Sequence, residues 1–303
     1  MVGMIAVGRA ECVLDAQAQV GEGAVWCADS QRLLWVDVWQ QRVHRYDPAT
    51  GHDEHWVMPQ RAGCVAPAGP DQILVGLVGG FSMLTCSSGA LAPYVALDHA
   101  GANRCNDSVV DPAGRLWCGT MPLAGLKGEA SGQLFSLDGT RMPRAHMDGL
   151  TLSNGLACAP DGRLLYLSDS HPAVNRVWVF DLDPASGELG GQRLFLDGAA
   201  LPGRPDGATV DADGCYWICA VDGWSVLRIT PQGRIDRRIA LPVSKPSKVA
   251  IGGARLDTLF ITSISSTLDA AGRSAEPLAG GLFALHVGPI GVASPVFKTA
   301  PSI

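Results

Sequence analysis

Leu33-Leu34-Trp35-Val36, Ile73-Leu74-Val75, Leu116-Trp117-Cys118, Leu164-Leu165-Tyr166-Leu167, Tyr216-Trp217-Ile218-Cys219 and Leu259-Phe260-Ile261 are versions of one short apolar run. Each is too short for a helix and rich in aromatic and branched residues, so each reads as a strand. Tight turns stand ahead of several of them: Asp111-Pro112-Ala113-Gly114, Pro160-Asp161-Gly162 and Asp211-Ala212-Asp213-Gly214. Asp and Gly there supply side-chain caps and positive φ for a chain reversal, so these Asp residues read as turn formers. A further strand follows each run, as in Phe81-Ser82-Met83-Leu84 and Arg176-Val177-Trp178-Val179-Phe180. Copies begin roughly 40 to 50 residues apart, the period of a propeller blade.

Blade one is the fullest. Ala24-Val25-Trp26 reads as an inner strand, Leu33 to Val36 as the second and Arg42 to Asp47 as the third. Pro48-Ala49-Thr50-Gly51 is the next turn, and His55 to Met58 the outer strand. The expectation is an all-β, six-bladed β-propeller with a central channel, residues 1–303 forming one domain. Closing the ring requires one blade built from both chain ends, or a sheet edge stays open. Glu11 to Ala16 is the candidate strand for that role.

Composition narrows the function. The chain has 303 residues, a net charge of −6 and 47% apolar residues. An acidic balance argues against nucleic acid, which needs a basic surface. No apolar run approaches the ~18 residues of a membrane span. Met1 to Ala10 lacks the basic-then-apolar pattern of a signal peptide. The nine cysteines are scattered, often inside strands, and read as reduced buried thiols of a cytoplasmic protein. Cys215 and Cys219 have no partner pair to complete a zinc pattern.

Function emerges when the blades are aligned on their second strands. About ten residues upstream, at the start of the inner strand, stand Glu22, Asn106, Asn154 and Asp206. Glu22, Asn154 and Asp206 are each followed by Gly, which permits close approach of backbone or ligand. Blades two and six, with Gly63 and Lys248-Val249, offer nothing comparable at that phase. Any one of these residues alone is a turn residue. Two carboxylates and two amides converging on one rim of a channel suit a hard divalent cation.

Longer motifs sharpen this. Gly-Glu-Gly-x-Val-Trp at 21–26, Asn-Arg-x-Asn-Asp at 103–107 and Val-Asp-Pro-Ala-Gly-Arg-Leu-Trp at 110–117 stand in order. Ser-Asn-Gly-Leu at 153–156, Leu-Pro-Val-x-Lys at 241–245 and Gly-Gly-Leu-Phe at 280–283 follow. Together they resemble the SMP-30/gluconolactonase family of regucalcin-like sugar lactonases, over about Gly21 to Leu285. The resemblance implies one divalent metal in the channel, Ca²⁺ first, with Mg²⁺, Mn²⁺, Zn²⁺ and Fe²⁺ as alternatives. It maps the metal ligands to Glu22, Asn154 and Asp206, and a substrate-binding pair to Arg104 and Asn106. Between Pro122 and Gly132 the only acid is Glu129, so the acidic sugar contact that family members often place there has no clear counterpart.

The reaction this implies is hydrolysis of an aldonolactone to its aldonic acid. The metal serves as Lewis acid on the ester carbonyl, and Asp206 takes a proton from the attacking water. Arg104 and Asn106 orient the sugar. No Gly-x-Ser-x-Gly elbow points to a serine hydrolase. His171 reads as an exposed loop residue, and Trp224 as pocket wall or core. Arg204, just before Pro205-Asp206, reads either as a surface residue or as a contact for an anionic, sulfonated or phosphorylated sugar lactone. Rival functions are an esterase or phosphotriesterase on the same scaffold, and a non-enzymatic metal-binding propeller.

Overall fold

The computed structural model describes residues 9–97, 101–288 and 290–299. Six four-stranded antiparallel sheets form six propeller blades. Blade one consists of Gly21–Cys27, Arg32–Asp37, Arg42–Tyr46 and Asp53–Val57, in that spatial order. Blades two to five repeat the meander, with inner strands Cys64–Gly69, Asn103–Val110, Ser153–Cys158 and Arg204–Val210. Blade six takes Pro246–Gly252, Thr258–Ser263 and Leu282–His286 from the C-terminal part of the chain. Glu11–Leu14 completes it, Cys12 pairing with Phe283. The expected strand at the chain start is thus present, two residues shorter than its reading, and the last blade has both chain ends in one sheet.

The second strands are buried on both faces. Leu33, Leu34, Trp35 and Val36 are all at most 2% exposed. The reason is the packing plan: each apolar cluster lies between neighbouring blades. Leu34 and Val36 of blade one meet Val65 and Ile73 of blade two, while Trp26 and Trp35 meet Ala250 and Phe260 of blade six. A strand sandwiched in this way reads as a continuous apolar run rather than an alternation. All nine cysteines are free, and Cys12 and Cys158 alone are half-buried rather than buried. No helix among the described residues is long and apolar enough to cross a membrane.

The two ends of the channel differ. The lower end holds a cavity of about 270 Å³, lined by inner-strand residues such as Ala24, Val109, Leu156 and Ile251. The segment Val292–Pro295 lines it too, and the chain then bonds to blades two and three through Phe297 N–H to Pro67 O and Lys298 N–H to Gly114 O. Lys248 reaches this cavity too, whereas Glu22, Asn106, Asn154 and Asp206 are not in its lining and stand near the starts of their inner strands.

Candidate active site at the channel mouth

Five inner strands are interrupted near their start. The register shifts between Glu22 and Val25, Cys105 and Asp107, Asn154 and Ala157, Pro205 and Ala208, and Pro246 and Val249. Blade two carries its shift at the other end, between Pro67 and Gly69. A bulge sets two residues against one and re-aims a side chain. Glu22, Asn106, Asn154 and Asp206 all stand at or inside these bulges, which is the structural meaning of their common phase.

Buried acids fix the chain that leads into them. Asp37 closes the second strand of blade one and accepts hydrogen bonds from the N–H groups of Gln19 (2.8 Å), Val20 (3.2 Å), Trp39 (3.1 Å) and Gln40 (3.1 Å). Asp169 does the same in blade four for Thr151 (2.8 Å), Leu152 (3.1 Å) and His171 (3.0 Å). Without them, these loop N–H groups would be left without partners.

Hydrogen bonds then tie blades three, four and five together. Asn106 Nδ2 donates to Asn154 Oδ1 at 2.8 Å and to the Ser153 carbonyl at 2.7 Å. Asn154 Nδ2 donates to Ser170 Oγ at 3.0 Å, and Ser170 Oγ donates to the carbonyl of Pro205, the neighbour of Asp206. The orientation of the Asn154 amide is therefore set from both sides.

The acids are crowded. Burial, then the charge of Asp107, pushes the Glu22 carboxyl up to about 7. Burial, then the charge of Glu22, pushes Asp206 well above the ordinary carboxylate range. Asp206 Oδ1 is buried and has no hydrogen-bond partner. Two facing carboxylates with an unpaired buried oxygen are costly unless a cation joins them. Asn154, tied through Ser170 to the carbonyl of Pro205, adds an amide oxygen, and oxygens of these kinds are the hard donors a divalent cation takes.

Asp107 and Lys248 were not picked out from the sequence. Lys248 Nζ pairs with Asp107 Oδ1 at 2.7 Å, with side chains 6% and 2% exposed. Asp107 Oδ2 also accepts from Leu156 N–H at 2.8 Å. Lys248 lies in the blade-six bulge, so the expectation that blade six has nothing at this phase is corrected. Its stem passes Gly207, where a Cβ would lie 2.2 Å from Lys248 Cδ. A lone Lys in the run Pro246–Gly252 was the available signal.

Blade two's blank position also has a reason. A Cβ on Gly63 would fall 1.9 Å from the Cys105 carbonyl oxygen and 2.9 Å from Arg104 Nη1. Gly63 is thus the space in which Arg104 lies, half-buried, with Nη1 donating to Cys105 O at 2.9 Å. His171 is half-buried, its Nε2 3.3 Å from the Leu126 carbonyl of the Pro122 to Gly132 loop. Glu129 in that loop is exposed. Arg204 pairs with Asp222 at 3.2 Å, and Trp224 is 44% exposed, not core.

A second group, His44, Asp53 and His55, brings possible ligand atoms within 4.8 Å of one another. It sits on the third and outer strands of blade one, away from the channel. Trp35 stacks on His44 at 3.8 Å and donates to Asp53 at 3.4 Å, so packing at the blade's outer part accounts for it.

Fold and mouth together define a six-bladed propeller with an acid-lined channel. The family model for the SMP-30/gluconolactonase/LRE-like region matches residues 20–265, and the chain belongs to that family. It is 36% identical to 6-deoxy-6-sulfogluconolactonase of Pseudomonas putida, over 95% of this chain and 98% of that protein. It is 32% identical to a pentonolactonase of Haloferax volcanii, over 92% of this chain and 94% of that protein. A calcium-binding protein, regucalcin, of Agrobacterium tumefaciens has the same fold, with a TM-score of 0.90 at 23% identity, covering 96% of this chain and 98% of that one.

Proposed function

We propose that this protein hydrolyses a sugar lactone to its aldonic acid with a divalent metal in the channel mouth, and that it works in the cytoplasm, where its thiols stay reduced. One observation carries the reading: Asp206 is buried against Glu22 with one oxygen unpaired. The relatives named for sugar lactones support it, and the protein is a carboxylic ester hydrolase, as lactonases are.

Glu22, Asn154 and Asp206 would hold the metal, Ca²⁺ being the first candidate. When bound, it supplies a Lewis acid for the ester carbonyl. Asp206, ionised, takes the proton of the attacking water as general base. Asn106 stays fixed through its bonds to Asn154 and Ser153 and presents its amide to the sugar. Arg104 spends one N–H on Cys105 O and has the rest of its fork for sugar or lactone oxygens. Both act by orientation.

The test is acid release from a panel of aldonolactones by wild-type protein and by Asp206→Ala. Turnover in the wild type and a loss of about 10²–10⁴-fold in the variant are expected. A variant with near wild-type rates would refute the role given to Asp206.

A further inference from the structure

The chain carries a net charge of −6, yet cations gather at the channel mouth. Arg61, Arg104, Arg204 and Lys245 all lie in segments that lead into inner strands or begin them. Between blades five and six, two of them share one acid. Arg204 Nη2 lies 3.2 Å from Asp222 Oδ2, and Lys245 Nζ pairs with Asp222 Oδ1. Two cations on one carboxylate leave a net positive charge facing solvent.

The group is held in place. The side chains of Lys245 and Arg204 are 15% and 29% exposed. Asp222 and Trp224 both have left-handed backbone, with φ 68° and 56°. Side chains other than glycine keep such a conformation only where the surroundings enforce it. Here the turn is bonded to the chain just before Lys245: Trp224 N–H donates to Ser244 O at 3.3 Å, and Leu241 N–H to Trp224 O at 2.8 Å. Ser244 N–H in turn donates to Glu276 Oε2 at 2.6 Å. Arg204 stands two residues before Asp206, the spacing that separates Arg104 from Asn106. Both strands thus carry an Arg just ahead of the bulge that holds a polar residue of the mouth. Trp224, in the same turn as Asp222, is 44% exposed.

We propose that Arg204 and Lys245, joined by Asp222, form an anion-binding subsite on the rim, and that the substrate is a sugar lactone bearing a sulfonate or phosphate at the end remote from its carbonyl. This rests on the lactonase reading of the same mouth. The guanidinium fork matches two oxygens of such a group, and the ammonium adds a point charge. A neutral sugar offers these two cations hydroxyl oxygens to hydrogen-bond but no negative charge to balance the one they hold in excess of Asp222.

The experiment compares kcat/KM on glucono-lactone and on its 6-sulfonated and 6-phosphorylated counterparts, using metal-loaded protein at low and moderate ionic strength. The anionic lactones are expected to be favoured about 10- to 100-fold, with the ratio falling as salt rises. Arg204→Ala and Lys245→Ala should each lower that ratio about tenfold, and Arg204→Lys should restore part of it. Calorimetric titration with 6-sulfonated and 6-phosphorylated hexitols, which have no ester, reads the subsite without turnover. Weaker binding of either hexitol by both alanine variants supports the subsite even if no lactone is hydrolysed, in which case the lactonase reading alone falls. Hydrolysis of the neutral lactone as fast as the anionic ones, with no hexitol binding, overturns the subsite and leaves the lactonase reading standing.

Discussion

Single residues decide the chemistry, because so many charges share one buried place. Lys248 offsets Asp107 in the channel. Lys248→Met leaves that acid buried with no counter-charge and should cost about 3–5 kcal/mol of stability, read by urea unfolding. Adding Asp107→Leu should restore much of it; unchanged stability in the single variant would contradict the pairing. Asp206→Ala should behave oppositely, losing turnover while the Tm of the metal-free protein holds or rises, since it removes a crowded carboxylate. Glu22, Asn106, Asn154 and Asp206 were legible because each blade repeats one phrase, and a residue at fixed phase can be compared with its counterparts. The ion pair was not, because it joins blades three and six across 141 residues of chain. Gly63 looked empty for a similar reason: what fills its place is Arg104, from the next blade.

Strands and turns explain why similar sequence phrases differ in worth. Asp111, Asp161 and Asp211 all read as turn formers. Asp211 turns out to accept from Trp217 Nε1 (2.8 Å), Arg228 Nε (2.7 Å) and the N–H of Cys215 (2.9 Å). Asp111 holds Trp117 Nε1 in the same way at 3.0 Å. In blade four Ala159 takes that place, and Asp161 is exposed. Asp211→Ala should therefore lower stability by about 3–5 kcal/mol and Asp161→Ala by less than about 0.5 kcal/mol, as denaturant titration would measure. Equal effects would contradict this account of the turns. The outer strand of blade three adds a pH effect. His146 packs on Trp117 with ring centroids 4.7 Å apart and meets Ser136 Oγ at 2.7 Å. Burial, then Arg144, lowers it from the ordinary 6.5 to about 4. Across that window the unfolded chain binds a proton that the folded chain refuses, so stability is full above pH 6.5 and falls as pH drops toward 4. His146→Gln should make Tm less steep in pH over that range. An unchanged slope would show that the His is not a source of the acid sensitivity.

The whole molecule is regular where it is scaffold and irregular where chemistry is placed. Six sheets with apolar clusters between them hold the ring. The mouth breaks that symmetry: acids come from blades one, three and five, amides from three and four, and a buried cation from six. The blade count and strand order could be read from the sequence because neighbouring blades bury both faces of the second strands, leaving short continuous apolar runs bounded by turns. The charge balance at the mouth depends on which blades meet across the channel, and no single blade states it. The most direct test of the account is lactone hydrolysis by protein stripped of divalent ions with a chelator and then restored with Ca²⁺, Mg²⁺, Mn²⁺ or Zn²⁺ in turn, followed as acid release at constant pH. The account predicts that hydrolysis disappears on stripping and returns with at least one of these metals, and that Asp206→Ala stays inactive with all of them. Hydrolysis that survives stripping undiminished, or no hydrolysis of any aldonolactone with any metal, would contradict it.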